Sequence, residues 1–268
     1  MAELSLIGLN ASPLLGGQVP LATTIAATAA AGFPLIGLDT WSVQAWAAAG
    51  GDLSHLRDAL AEHGLRCWEL APLCIRADPG VTASEARDVL EIVRALEIPW
   101  VVVNVHATES AAALRSFADV AAMVQDAGSS VALEYVAWHP VDTITRAMPY
   151  LERAPVGAAG LLVDTWHHFR GPESTDELEA LPVDCIAYAQ FDDARPPRGG
   201  DVREDSVRDR TFPGEGVFDL AAWSACLQRK GFDGVVSVEV LDERWRTPEA
   251  DQYEFARRAY EATRAFWP

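Results

Sequence analysis

The stretch "GLLVDTWHHFR" (residues 160–170) ends a continuous apolar run on Asp164 and then presents His167 and His168 just beyond it. An unbroken apolar run of this length reads as a strand buried on both faces. A carboxylate that closes such a strand is costly unless something compensates its charge. The same design recurs further along. "VALEYV" (131–136) carries Glu134, "CIAYAQF" (185–191) carries Gln190 and is followed by Asp192 and Asp193, and "GVVSVEV" (234–240) carries Glu239.

Working outward, four more short apolar runs precede these: "LSLIGL" (4–9), "FPLIGLD" (33–39), "RCWELA" (66–71) and "WVVVNV" (100–105). Their length and β-branched content favour strand over buried helix. The segments between them predict helices. "LATTIAATAAAG" ends on Gly32, and "DLSHLRDALAEHG" opens on a capping Asp52 and ends on Gly64. "TASEARDVLEIVRALEIP" has Thr82 and Glu85 at capping-box spacing. The closing segment places Pro248 at a first helical position. Strands alternating with helices in this rhythm predict an α/β fold, a (β/α)₈ barrel forming one domain over residues 1–268. No Gly-x-Gly-x-x-Gly follows the first strand, which argues against a dinucleotide-binding doubly wound sheet. The segment "ARPPRGGDVREDSVRDRTFPGEG" extends one connection, and in a barrel it follows a strand's C-terminal end, on the face where barrel enzymes keep their sites.

Side chains alternate along a strand. Glu134 therefore shares a face with Ala132, Asp164 with Leu162, Gln190 with Tyr188, and Glu239 with Ser237. With those faces inward, four oxygen donors from neighbouring strands converge on one rim. Three carboxylates held so close in low dielectric cannot all stay ionised without a cation. Glu134, Asp164, Gln190 and Glu239 are thus the candidate ligands of one divalent metal. This all-oxygen set suits Mn²⁺ first, and Mg²⁺ or Co²⁺ after it; zinc is less favoured without His or Cys among the donors.

The chain has 268 residues and a formal charge of −18, which repels phosphate backbones and anionic lipid. Neither a nucleic-acid nor a membrane partner is expected. No stretch approaches the roughly 18 apolar residues of a membrane span, and the N-terminus lacks a secretory pattern. Four cysteines without a C-x-x-C pair read as thiols of a reducing compartment, so the expected location is the cytoplasm. No interface pattern is legible, although dimers or tetramers are ordinary for barrels of this kind.

The pieces "LEYV" (Glu134), "DTWH" (Asp164 and His167), "QFDDA" (190–194), "RTFPGEG" (210–216) and "VEV" (Glu239) resemble the xylose isomerase-like barrels. That group includes ketose 3-epimerases, hydroxypyruvate isomerase and inosose dehydratase. The resemblance implies that the Glu, Asp and Glu bind the metal, that Glu134 and Glu239 transfer protons, and that His167 and Arg210 contact substrate. Many members carry His where this chain has Gln190.

A metal that chelates a ketone oxygen and an adjacent hydroxyl acidifies the carbon beside them. Proton return to the same carbon is epimerisation, return to its neighbour is isomerisation, and loss of a β-hydroxyl is dehydration. The expected function is therefore a metal-dependent isomerase or epimerase of a small keto-sugar or polyol. The alternative is a lyase on the same site, acting on an inosose, a dehydroshikimate-type acid or an oxidised glycoside. His167 is expected in a loop over the site. His106 and Glu69, read as strand-end residues, are expected to line the pocket, and Trp166 to offer an apolar wall to the substrate. The arginines of the insertion lie among acids that offset them, which predicts an uncharged substrate. Arg210 also fits a surface ion pair within "REDSVRDR". An abasic-site endonuclease, which shares the barrel, needs more histidines than the six present and a basic track. A non-catalytic binding barrel would keep the fold and lose the metal.

Overall fold

Parallel strands with both faces apolar must be covered on both sides, and a closed ring wrapped in helices achieves this. The computed structural model describes residues 2–268. The strands are β1 (Glu3–Ile7), β2 (Leu35–Asp39), β3 (Arg66–Ile75), β4 (Trp100–Val105), β5 (Ser130–Glu134), β6 (Ala159–Asp164), β7 (Ile186–Phe191), β8 (Asp193–Ala194), β9 (Arg210–Thr211) and β10 (Val235–Val238). Eight of them close a barrel in the order β1-β10-β7-β6-β5-β4-β3-β2, every neighbouring pair parallel. The expected (β/α)₈ barrel is the observed fold.

The alternation read from sequence holds. Ala132, Leu162, Tyr188 and Val235 belong to the apolar cluster inside the barrel, while Val131, Leu133, Leu161 and Val163 pack outward against the helices. Trp68 and Trp100 both approach Tyr188 at 6.1 Å between ring centroids and pack against the interior cluster. The inward faces of β5, β6, β7 and β10 therefore carry Glu134, Asp164, Gln190 and Glu239 to one end.

Several local expectations are corrected. The strand read as ending at residue 71 continues to Ile75, with its register to β4 shifting between Leu70 and Leu73. Pro72 lies in that irregular stretch, where its missing N–H is tolerated. Ile75, not Glu69, thus closes β3, and Arg76 directly follows it. The following helix starts at Pro79 with Asp78 as its cap, whose side chain accepts from Gly80 N. Thr82 lies inside that helix, and its hydroxyl accepts from Arg76 N, so Thr82 and Glu85 form no capping box. The last helix begins at Gln252, capped by Asp251, and leaves Pro248 outside.

The insertion after β7 is ordered around one carboxylate. β8 and β9 pair antiparallel, with a helix (Val202–Arg208) between them. Buried Asp193 accepts from the backbone N–H of Ala194, Gly214, Gly216 and Phe218. A Cβ at Gly216 would fall 2.2 Å from Asp193 Oδ1, so only glycine permits this wrap. The wrap fixes β9 and points Arg210 at the barrel axis.

Candidate metal and catalytic site

Glu134 and Asp164 are the last residues of β5 and β6, Gln190 is the penultimate residue of β7, and Glu239 directly follows β10. The register sets Asp164 beside Gln190 and Gln190 beside Ser237. One carboxylate oxygen each from Glu134, Asp164 and Glu239 lies within 4.8 Å of the others. The three expected carboxylates are brought together, and Gln190 stands beside Asp164 by strand register.

Asp164 has two duties. Its Oδ1 accepts from His167 N at 2.7 Å and caps the helix Thr165–Arg170. Its Oδ2 faces the site. His167 is therefore held in the first turn of a helix, not in a loop, because the strand-end carboxylate satisfies the first free N–H groups of that helix. The imidazole Nδ1 accepts from Ala137 N at 3.3 Å, which leaves Nε2 to carry the proton, 3.5 Å from Glu134 Oε1. Burial pushes His167 down to about 3, so the ring is neutral and faces Glu134 with its Nε2 edge. Asn104 Nδ2 donates to the other oxygen, Glu134 Oε2, at 2.7 Å.

Arg210 is buried at 2% exposure and no surface residue. Its Nη1 donates to Glu239 Oε2 at 2.8 Å, Asp192 Oδ2 at 2.8 Å and Asp164 Oδ2 at 3.0 Å. Its Nε and Nη2 are anchored on Ser206 O and Oγ. Burial opposes the charge on Arg210, yet these three acids hold it protonated above its ordinary value. The acids respond unequally. Burial raises Glu134 to about 8 and Asp192 to about 8, and raises Glu239 strongly, each reinforced by Asp164 nearby. Burial also acts to raise Asp164, but the Arg210 charge and the His167 contacts outweigh it and lower its pKa.

The donors fit a divalent ion. The side-chain oxygen of Gln190 is buried without a hydrogen-bond partner, while its Nε2 donates to Glu69 Oε2 at 3.2 Å. Arg210 takes one oxygen each from Asp164 and Glu239 and makes no bond to Glu134 or Gln190. An oxygen-rich basin with more carboxylate than one guanidinium can neutralise is the chemistry a hard cation seeks.

Above the donors opens a cavity of about 360 Å³, walled by Leu14, Trp41, Val136 and Trp138. Its lining includes Glu134, Gln190, Glu239, His167, Arg210 and His106, so these expected residues share one space. Three expected residues do not line it: Asp164 is fully buried just beneath, under Arg210, and Glu69 and Trp166 lie further off. Glu69 is fully buried, because β3 runs on past it. Trp166 is fully buried behind Arg210, whose guanidinium carbon lies 5.5 Å from its ring centroid. His168 is buried as well.

Sequence reasoning missed other residues. Asp192 shares the phase of Gln190 in "QFDD", and Asn104 is a lone polar residue inside "WVVVNV"; both carried a legible signal. Arg76, Arg203 and His139 also line the cavity. Arg76 pairs with Glu85 at 3.3 Å and its Nη1 lies 3.4 Å from His106 Nδ1, and His106 packs on His139 at 4.2 Å between centroids. Arg195 and Arg198 are bound to Asp209 and Asp242, as expected for insertion arginines. Arg203 makes no ion pair among the described residues and was not foreseen in the cavity.

Residues 25–263 match the family described as xylose isomerase-like TIM barrel. The chain belongs to this family. Among characterised relatives, a 3-dehydroshikimate dehydratase of Pseudomonas aeruginosa is 34% identical over 134 residues, half of this chain and 20% of that protein. An inosose isomerase of Halalkalibacterium halodurans is 26% identical over 180 residues, 63% of this chain and 62% of that protein. The chain thus spans a fifth of the first relative and under two thirds of the second. A solved family structure, described as IOLI protein with a bound zinc atom, superposes with a TM-score of 0.79 at 21% identity, covering 99% of this chain and 96% of that one. This last likeness concerns the fold. No helix among the described residues is long and apolar enough to cross a membrane.

Proposed function

We propose that this barrel is a divalent-metal-dependent enzyme that moves a proton beside the carbonyl of a small keto-sugar or polyol. The observation that carries the reading is the convergence of Glu134, Asp164 and Glu239 with the unpartnered Gln190 carbonyl at the floor of the cavity. Those four residues would hold the ion, with Mn²⁺ preferred and Mg²⁺ or Co²⁺ acceptable. When bound, it supplies positive charge against the oxygen of a developing enediolate.

Glu134 and Glu239 act as the acid/base pair. They stand on β5 and after β10, separated around the ring by β6 and β7, and so flank a substrate from two sides. Asn104 Nδ2 aims Glu134 beside the Nε2 edge of His167, and Arg210 aims Glu239. A carboxyl raised toward neutrality by burial takes and returns a proton readily near pH 7. His106 offers hydrogen bonds to substrate oxygens, and Arg210, held by Ser206 and three acids, has only its second Nη2–H to add. The four free cysteines suit the reducing cytoplasm.

A specific observation favours the lyase as a second reading. Arg203, without an ion pair among the described residues, and Arg76, paired with Glu85, stand beside two neutral histidines, His106 and His139, on a side of the cavity apart from the acidic floor. A polyol acid bearing a carboxylate would span the two, as the 3-dehydroshikimate of the 34% identical relative would. Solvent-deuterium incorporation into keto-sugars, cyclitols and cyclic polyol acids, measured with Mn²⁺ present, tests the shared proton step. Growth of ultraviolet absorbance from a conjugated product separates elimination from isomerisation. Exchange with none of these substrates would overturn the reading.

A further inference from the structure

Beneath the donor set lies a fully buried carboxylate with no direct access to the cavity, Glu69. Ser237 Oγ donates to its Oε1, and Tyr188 Oη and Gln190 Nε2 donate to its Oε2. Space for it is made by Gly37 on the neighbouring strand, where a Cβ would fall 2.7 Å from Glu69 Oε1 and 2.8 Å from its Cγ. Three side chains converge on this carboxyl, which accepts from all of them when ionised, while burial pushes its pKa up to about 7.

This arrangement settles which end of the Gln190 amide faces the site. With Nε2 bound to Glu69, Oε1 turns the other way, buried and unpartnered. The flipped amide would set Oε1 against the Glu69 carboxylate and would point two N–H donors at the basin that already holds Arg210. The Glu69 end would then be repulsive, acceptor against acceptor, while the N–H donors would suit the basin's carboxylates but be repelled by a bound cation. A His ligand needs no such guide, whereas an amide offers an acceptor at one end and donors at the other.

We propose that Glu69 is a positioning residue that locks the Gln190 amide with its carbonyl toward the cation site, which is what lets a glutamine serve there as fourth donor. The inference rests on the metal reading above. Partners of this kind that orient a ligand are worth 10–100-fold in metal affinity.

The test is Mn²⁺ titration calorimetry of metal-stripped protein, wild type against Glu69→Gln, each alone and in a Gln190→Ala background. The lock predicts a loss of about 10–100-fold for Glu69→Gln and no further loss once Gln190 is gone. A wild-type affinity in Glu69→Gln, or the same loss in the Gln190→Ala background, overturns the lock alone. A wild-type protein that takes up no Mn²⁺ overturns the metal reading and the lock together. Should Glu69→Gln fail to fold, nitrogen-15 spectra of the metal-free wild type still decide. The Gln190 side-chain amide, assigned by its loss in Gln190→Ala, should be protected from solvent exchange; a freely exchanging amide contradicts the lock.

Discussion

Arg210 Nη1 stands 2.8 Å from Glu239 Oε2, both groups buried, so a strand-end carboxylate and an arginine from the insertion meet on the barrel axis. The same nitrogen serves Asp164 and Asp192. One guanidinium is therefore the protein's own countercharge for the acid cluster that is proposed to hold a metal.

Arg210→Ala should leave three buried acids without that countercharge. Removing one side of a buried ion pair costs about 3–5 kcal/mol. Urea unfolding at pH 8 with chelator present is expected to show a loss of that order, and saturating Mn²⁺ should recover part of it. An unchanged midpoint in chelator would show that Arg210 is dispensable to the cluster.

Glu134→Gln and Glu239→Gln should keep the barrel and lose turnover by about 10²–10⁴-fold, the usual worth of a positioned acid or base. Deuterium exchange identifies the roles: the residue that abstracts the proton is the one whose loss abolishes exchange. Near wild-type turnover in either variant would remove that residue from the chemistry.

Stability of the metal-free protein should fall as pH rises from about 5 to about 8. Glu134 is raised from 4.5 to about 8, and Asp192 from 3.8 to about 8, each chiefly by burial. A carboxyl whose folded pKa lies above its unfolded one binds a proton on folding. Its contribution is full below the unfolded value near 4 and is lost as the pH passes the folded value near 8. Asp164, lowered in the fold, contributes with the opposite sign and only at acid pH. Thermal melts across this range, with chelator and with Mn²⁺, check the slope; the ion should flatten it by favouring the ionised acids.

Arg203→Ala should raise KM for a cyclic polyol acid while leaving KM for a neutral keto-sugar unchanged. Arg203 is exposed at the cavity edge and makes no ion pair among the described residues, so its loss should not disturb the fold. Equal effects on both substrates would withdraw support from the lyase reading.

Much of the site was legible because polar residues closing buried strands announce themselves. Glu134, Asp164, Gln190 and Glu239 interrupt apolar runs at one phase, and alternation alone places them together. What escaped depended on where elements stop. Glu69 was misplaced because β3 continues through an irregularity near Pro72, a local feature with no periodic signature. Thr82 and Pro248 fit start signals, but Asp78 and Asp251 lie nearby and cap better. His167 was read in a loop because a short helix starting directly on a strand end has no apolar periodicity to mark it. Arg203 was grouped with neighbours that are neutralised, since a sequence cannot tell which arginine of a charged insertion turns inward.

A single divalent ion held by the four strand-end donors is testable by Mn²⁺ titration of metal-stripped wild type beside Glu134→Ala, Asp164→Ala and Glu239→Ala. One ion per chain is expected in the wild type, with a steep loss of affinity in each variant that folds. Failure of the wild type to take up an ion, or uptake unaltered by all three replacements, would contradict it.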